Sequence, residues 1–456
     1  MTKHDAPTKT LWDSFFKYLL AAVLIFIPLY PKFPLFTVPF TYVAIRAEDF
    51  LIALVWLVFF LRLLVVKKIS FPKITFQFVV FFLVGLVSCL SAILITKNVQ
   101  PLLVILHYAR RLEYLSVFFL VYWAAGDKNT RRYYLELAIL PALGVFLYGL
   151  AQIYFQAPVI STMDSESSKG IAMTLLPGVT LNSTFAGHYD LAIYLTMMMT
   201  FLVAISSSLS SWIKRLPFLG FFIALLWLFM QAGSRISIIG LILSVAVVSF
   251  YYRRYFLGLV FFGVILAFIA TSPQYLDRFR SIFKVFTVKT SQVFVSPAFA
   301  ATRTNNLAPI TKNSPSLTPH PTPTPEALRP IQQDRSTSIR VDVEWPRAMR
   351  SFYKNPFLGT GYSSISLATD NDYLRALGET GLLGLLALLA LLLAIGRFLF
   401  TQVARVSGVD RLILVSALGI FVAFLTSAIF IDVFESSKIA ILFWAFMGLA
   451  FSTKNT

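Results

Sequence analysis

The sequence predicts an all-α fold: a polytopic transmembrane helical bundle of about 12 spans with one long extracytoplasmic loop. Three observations carry this expectation. Hydrophobic residues make up 57% of the chain and charged residues only 13%, with a mean hydropathy of +0.76, outside the usual range of soluble globular proteins. Apolar runs recur at the length of roughly 20 residues that a helix needs to cross a hydrocarbon core, and they do not alternate as barrel strands would. Basic residues concentrate in alternate short loops, the pattern that orients helices in a bilayer.

Spans are expected near 18–36, 48–66, 74–95, 101–125, 133–155, 183–206, 216–232, 235–252, 255–271, 373–396, 412–431 and 436–452. The weakly basic start, MTKHDAPTKTLWDSFFK, leads into the first run without a small-residue cleavage site, so an uncleaved first helix and cytoplasmic N- and C-termini are expected. The inside loops then carry Lys67 and Lys68, Lys128 to Arg132, Lys214 and Arg215, Arg253 and Arg254, and Arg397 to Arg411. Residues 1–271 hold spans one to nine, 272–372 form the outer loop, and 373–456 hold the last three. Within the loop, the Pro/Thr-rich stretch 296–330 lacks apolar periodicity and reads as a disordered insert. Val341, Trp345, Met349 and Phe352 recur at helical spacing and predict an amphipathic helix near 338–353. The net charge of +18 is partly topogenic and partly a property of this loop, which faces away from the cytoplasm, so no nucleic-acid partner is expected. The single cysteine, Cys89, lies in an apolar run and has no intrachain disulfide partner.

Ionisable side chains in or beside a membrane are costly and mark functional sites. Arg235, in FMQAGSRISIIG, sits at an outer turn with Ser234 placed to cap the next helix, an arrangement suited to an anion. It reads equally as an arginine snorkelling to lipid phosphate. Arg110 and Arg111, in ILHYARRLEYL, lie more than about 10 Å into the fourth span and are expected to face the bundle interior. Glu113, or Glu48 and Asp49, are the acids expected to neutralise them. His188 begins the sixth span on the same outer side as Arg235, as a structural hydrogen bonder or a site residue. From Arg340 to Gly384, Pro356, Gly359 and Gly361 make a tight turn, Asp370 and Asp372 flank a helix start, and Glu379 lies inside that helix. Asp370 and Asp372 read as caps, as catalytic acids, or as an Asp-x-Asp metal pair; too few oxygen ligands accompany them for a metal site to be assigned.

The motifs NSTFAGHYDLA, GSR, R-x(4)-W, NP-x-x-G-x-G and DNDYLRALGETGLLG, in that order around a long outer loop, resemble the O-antigen ligase and Wzy-type polymerase superfamily from about the sixth span onward. The resemblance implies a GT-C-like glycosyltransferase of the cytoplasmic (inner) membrane, active on the extracytoplasmic face, with no cofactor and no nucleotide-sugar domain. Such an enzyme moves a glycan from an undecaprenyl-pyrophosphate carrier to a hydroxyl on a glycan, lipid or protein acceptor during surface polysaccharide assembly. Arg235 and Arg340 match the family's arginines and would neutralise the pyrophosphate leaving group; Arg347, Arg110, Arg111 and His188 complete the expected pyrophosphate set. One departure stands out. Where ligases carry His-Asn as candidate base, this chain has Asp370-Asn371, which makes Asp370, Asp372 and Glu379 the acids expected to serve catalysis. The competing reading is a transporter or flippase of the same lipid-linked glycans, although the two halves show no inverted repeat.

Overall fold

The computed structural model describes residues 11–66, 69–159, 180–272, 339–365 and 368–453. The Pro/Thr-rich insert, the N-terminal lysines Lys3 and Lys9, and the Lys67–Lys68 pair lie outside them.

Proline sets the first boundary. Helix α1 (Leu11–Leu29) stops before Pro31 and Pro34, which lack the N–H donor a helix needs, and the chain forms an antiparallel hairpin of β1 (Pro34–Thr37) with β2 (Ala44–Arg46). The first span thus lies several residues earlier than the expected 18–36. The hairpin feeds α2 (Ala47–Val66) and α3 (Thr75–Ser91), the latter continuing as a π-turn over Ala92–Thr96. Next come α4 (Pro101–Ala124), with proline at its start where no N–H is required, and α5 (Lys128–Leu137), capped by Asp127 accepting from Thr130 N. Helices α6 (Ile139–Tyr154), α7 (His188–Ser208), α8 (Trp212–Ala232), α9 (Arg235–Tyr252) and α10 (Tyr255–Thr271) follow. A π-turn over Arg340–Glu344 then enters the short α11 (Trp345–Lys354), followed by α12 (Asp372–Val403), α13 (Gly408–Ser427) and α14 (Ser437–Ser452).

Eight stretches among the described residues are long and apolar enough to cross a membrane: α1, α3 with its π-turn, α5 with α6, α7, α8, α9, α12 and α13. Helices α10 and α14 are apolar but have only 17 and 16 residues. Helices α2 and α4 are long enough, but each carries three charged residues.

Helices buried on every side occupy the centre of such a bundle. Residues 191–207 of α7 and all of α14 are buried; α14 packs along α4, and α7 packs against α8 and α9. Peripheral helices instead expose large apolar side chains such as Leu57, Phe60 and Leu393, as contact with lipid requires. Arg131 also belongs to the packed interior: it is fully buried, binds Asp410 of α13 through two hydrogen bonds of 2.8 and 3.2 Å, and donates to the carbonyls of Ala125, Gly126 and Ser452.

Helix α12 breaks at Gly381 (φ +69°), and the turn from Asn355 to Gly361 fills the break. Leu382 N and Leu383 N donate to Pro356 O and Phe357 O at 2.8 and 3.2 Å, while Thr360 N and Gly361 N donate back to Gly378 O and Glu379 O at 3.1 and 2.8 Å. Ser88 Oγ from α3 donates to Leu358 O and Glu379 O. A Cβ on Gly359 would stand 2.4 Å from the Glu379 backbone, and one on Gly381 equally close to Phe357. The glycines of NP-x-x-G-x-G and G-E-T-G are therefore the two faces of one backbone joint, which sets where α12 begins relative to α3 and α4.

Candidate active site

A cavity of 440 Å³ lies between α4, the β1–β2 turn, the segment before α12, and the connection from α13 to α14. Helix α4 lines it with His107, Arg110, Arg111 and Tyr114, whose i, i+3, i+4, i+7 spacing sets them on one face. Tyr42, Ser363, Ile365, Ala368, Arg375 and Glu435 complete the lining. Three guanidiniums thus face one carboxylate across a space large enough for a diphosphate and part of a sugar.

Arg110 donates to Ala44 O, and Arg111 donates to Phe434 O at 2.7 Å and contacts Glu435. The carboxylate partner of Arg111 is therefore Glu435, from the α13–α14 connection, whereas Glu113 and Asp49 lie within electrostatic reach of Arg110, as expected. Glu48 accepts from Ser437 Oγ, and Asp49 accepts from Arg46 N.

Arg375, near the start of α12, reaches Glu379 at 3.2 Å and Asp432 at 2.9 Å. Asp432 also accepts from Thr369 N (2.8 Å) and Asn371 N (3.2 Å), the residues on either side of Asp370. Burial pushes the Asp432 carboxyl up, but Arg375 and these N–H groups outweigh it and hold the group below the usual carboxylate range. In the turn so held, Asp370 is left-handed (φ +49°) and pairs with Arg340 at 2.7 Å, while Arg340 also donates to Tyr189 Oη at 3.4 Å. Burial, the larger influence, raises the Asp370 carboxyl above its ordinary value, with Arg340 opposing.

Neither aspartate caps α12. Asn371 does, accepting from Leu374 N at 2.9 Å, whereas Asp372 Oδ2 accepts from Val433 N and Phe434 N at 2.7 and 3.2 Å. Glu379 accepts from Arg375 and from Ser363 N. The three acids therefore point to separate partners, and no group of three or more His, Cys, Asp or Glu among the described residues is placed to hold a metal.

The remaining candidates stand apart from the cavity lining. Arg347 is half-buried, with Nη1 lacking a hydrogen-bond partner; beside it, burial and Asp370 push Glu344 up to about 7. Arg235 opens α9 after Gly233, but Ser234 bonds the Ser237 hydroxyl at 2.8 Å and not a backbone N–H, so the expected cap is not made. His188 opens α7 and packs on Tyr189, the ring that meets Arg340.

Residues 219–389 match the family model described as O-antigen ligase. Over this stretch, less than half of its length, the chain is similar to O-antigen ligases. None of the curated proteins matches it. The ligase-family stretch holds Arg235, Arg340, Arg347, Asp370, Asp372, Arg375 and Glu379, whereas the α4 wall of the cavity and the acids of the α13–α14 connection come from outside it.

Sequence reasoning missed His107, Arg375, Asp432, Glu435 and Lys438. The last is fully buried in α14, donates to Tyr30 O and to Thr184 O (2.9 Å), and lies 5.1 Å from the Phe185 ring, pinning the NSTF loop. The run IDVFESSK, with two acids and a lysine between two apolar stretches, was the available signal.

Proposed function

We propose that this chain is a membrane glycosyltransferase that moves a glycan from an undecaprenyl-pyrophosphate carrier to an acceptor hydroxyl, as an O-antigen polymerase or ligase does. The observation that carries the reading is the 440 Å³ cavity walled by Arg110, Arg111 and Arg375 beside the ligase-family motifs. Guanidiniums stay charged and bind phosphate oxygens in pairs, so they suit a diphosphate that gains charge as the glycosyl bond breaks. Of five N–H groups on Arg110, one goes to Ala44 O, and the fork remains available to a ligand. Arg340 and Asp370 act at the rim, where Asp432 fixes their turn and Tyr189 fixes the guanidinium. Arg235, His188 and Arg347 extend the positive surface along which the donor arrives. Asp372 and Glu379 hold the joint between α12 and the connection to α14. Helices α2, α4, α10 and α14 complete a bundle of twelve spans in the cytoplasmic membrane, with both termini cytoplasmic and the cavity on the opposite face.

The test is an assay of the purified full chain with an undecaprenyl-pyrophosphate oligosaccharide, with products separated by length. A ladder of lengthened lipid-linked chains marks a polymerase, and one transfer to a second acceptor marks a ligase. Donor crossing the bilayer of proteoliposomes with no glycosyl bond formed contradicts the reading.

A further inference from the structure

We propose that His107 is the catalytic base that takes the proton from the acceptor hydroxyl, with Nε2 as the accepting atom; this inference rests on the glycan-transfer reading above. His107 lines the 440 Å³ cavity, and its Nε2 is shielded from solvent without a hydrogen-bond partner. A buried polar atom without a partner calls for one, and an acceptor hydroxyl in the cavity can supply it.

The acids beside the cavity are already committed. Asp372 accepts two backbone N–H groups, Glu379 holds Arg375 and Ser363 N, Asp370 holds Arg340, and Glu435, whose Oε1 makes no hydrogen bond, lies against the Arg111 guanidinium, so that protonating it would cost that ion pair. A carboxylate engaged with a cation or two N–H donors is a weak base, because taking a proton means giving up those bonds. The neutral imidazole has no such bond at Nε2 to lose. Its plane is braced by Tyr42, whose ring lies 5.9 Å away and whose hydroxyl is bonded to Ser363 Oγ.

Position along α4 agrees with the chemistry. His107 precedes Arg110 and Arg111 by three and four residues on the same face, an axial offset of roughly 4.5–6 Å. With the diphosphate on the two arginines, the anomeric carbon lies about one helical turn toward the start of α4, and the attacking oxygen falls beside the imidazole. The acceptor oxygen forms its bond to the anomeric carbon as the bond from that carbon to the diphosphate oxygen breaks. The electron pair leaves with the lipid diphosphate, and the hydroxyl proton moves to Nε2 and then to water.

The experiment uses the full chain in nanodiscs, with lipid-linked glycan isolated from cells lacking this chain as donor. H107Q is expected to lower kcat about 100-fold or more while the donor KM stays within about twofold, since general-base removal affects the proton-transfer step and not the hold on the diphosphate. Added imidazole is expected to restore part of the activity of H107A. A kcat for H107Q within about threefold of wild type, or a loss in H107A that imidazole leaves untouched, overturns the proposal. If undecaprenyl pyrophosphate fails to compete with donor on the wild-type chain, the diphosphate reading itself falls. Should both variants fail to fold, carbethoxylation of the wild-type chain mapped by mass spectrometry decides: inactivation tracking modification of His107 supports the role, and full activity with His107 modified removes it.

Discussion

Replacing Asp432 by asparagine removes the group on which the turn before α12 depends. Its carboxylate accepts three hydrogen bonds, from Thr369 N at 2.8 Å, Asn371 N at 3.2 Å and Arg375 Nη2 at 2.9 Å, and its side chain is only 12% exposed. Asparagine keeps one acceptor oxygen, so its amide group faces a donor and at least one buried N–H loses its partner, at a cost of about 1–3 kcal/mol. Arg375 loses one of its two carboxylates; breaking a buried pair outright costs about 3–5 kcal/mol, and the surviving Glu379 contact at 3.2 Å reduces that share. The two contributions together give D432N a loss of about 3–5 kcal/mol, a shift of roughly two to four orders of magnitude in the unfolding equilibrium. Unfolding in mixed micelles by an anionic detergent, followed by tryptophan fluorescence, measures it. A D432N chain within about 0.5 kcal/mol of wild type would refute the claim that this carboxylate organises the Asp370 turn.

Three further outcomes are expected. G359A must place a Cβ 2.4 Å from the Glu379 backbone in a left-handed residue, so it loses about 3 kcal/mol or more, whereas G126A, with nothing within 4 Å of its Cβ, stays within about 0.5 kcal/mol in the same unfolding assay. Glu344 titrates near 7, above its ordinary value, so the folded chain binds that proton more tightly; its contribution to stability is complete below the ordinary value and is lost as pH rises through about 7. E344Q removes this component of the stability slope between those limits, and an unchanged pH–stability curve contradicts it. R340K keeps the charge but loses the two contacts made by Nε and Nη2 to Asp370, so transfer falls about tenfold or more with the chain still folded; wild-type rates in R340K remove Arg340 from the site.

Much of the architecture is legible because lipid leaves few alternatives: an apolar run of span length becomes a helix, and proline marks where it stops. The hairpin after α1 is less visible, since Pro34 to Arg46 reads as the tail of an apolar run. On α4 the two arginines are readable as facing the interior, but His107 and Tyr114, at helical spacing from them, stand out only once the cavity is seen. What the spacing cannot supply is the partner. Arg111 meets Phe434 and Glu435 more than 300 residues away, and Arg131 meets Asp410 at a separation of 279. Capping preference alone does not choose between Asp370, Asn371 and Asp372; the choice falls to Asn371 because Arg340 and the Val433–Phe434 backbone draw the two aspartates aside. The NP-x-x-G-x-G motif reads locally as a tight turn, and its role as a mate for the Gly381 break emerges only when both backbones are adjacent.

Whether the cavity under α4 holds a lipid diphosphate is read from competition by undecaprenyl pyrophosphate and undecaprenyl monophosphate in the transfer assay. The diphosphate is expected to inhibit the wild-type chain at a concentration about tenfold or more below the monophosphate, and R110K to narrow the gap by removing the guanidinium fork. Equal inhibition by the two lipids, or an undiminished preference in R110K, would contradict that expectation.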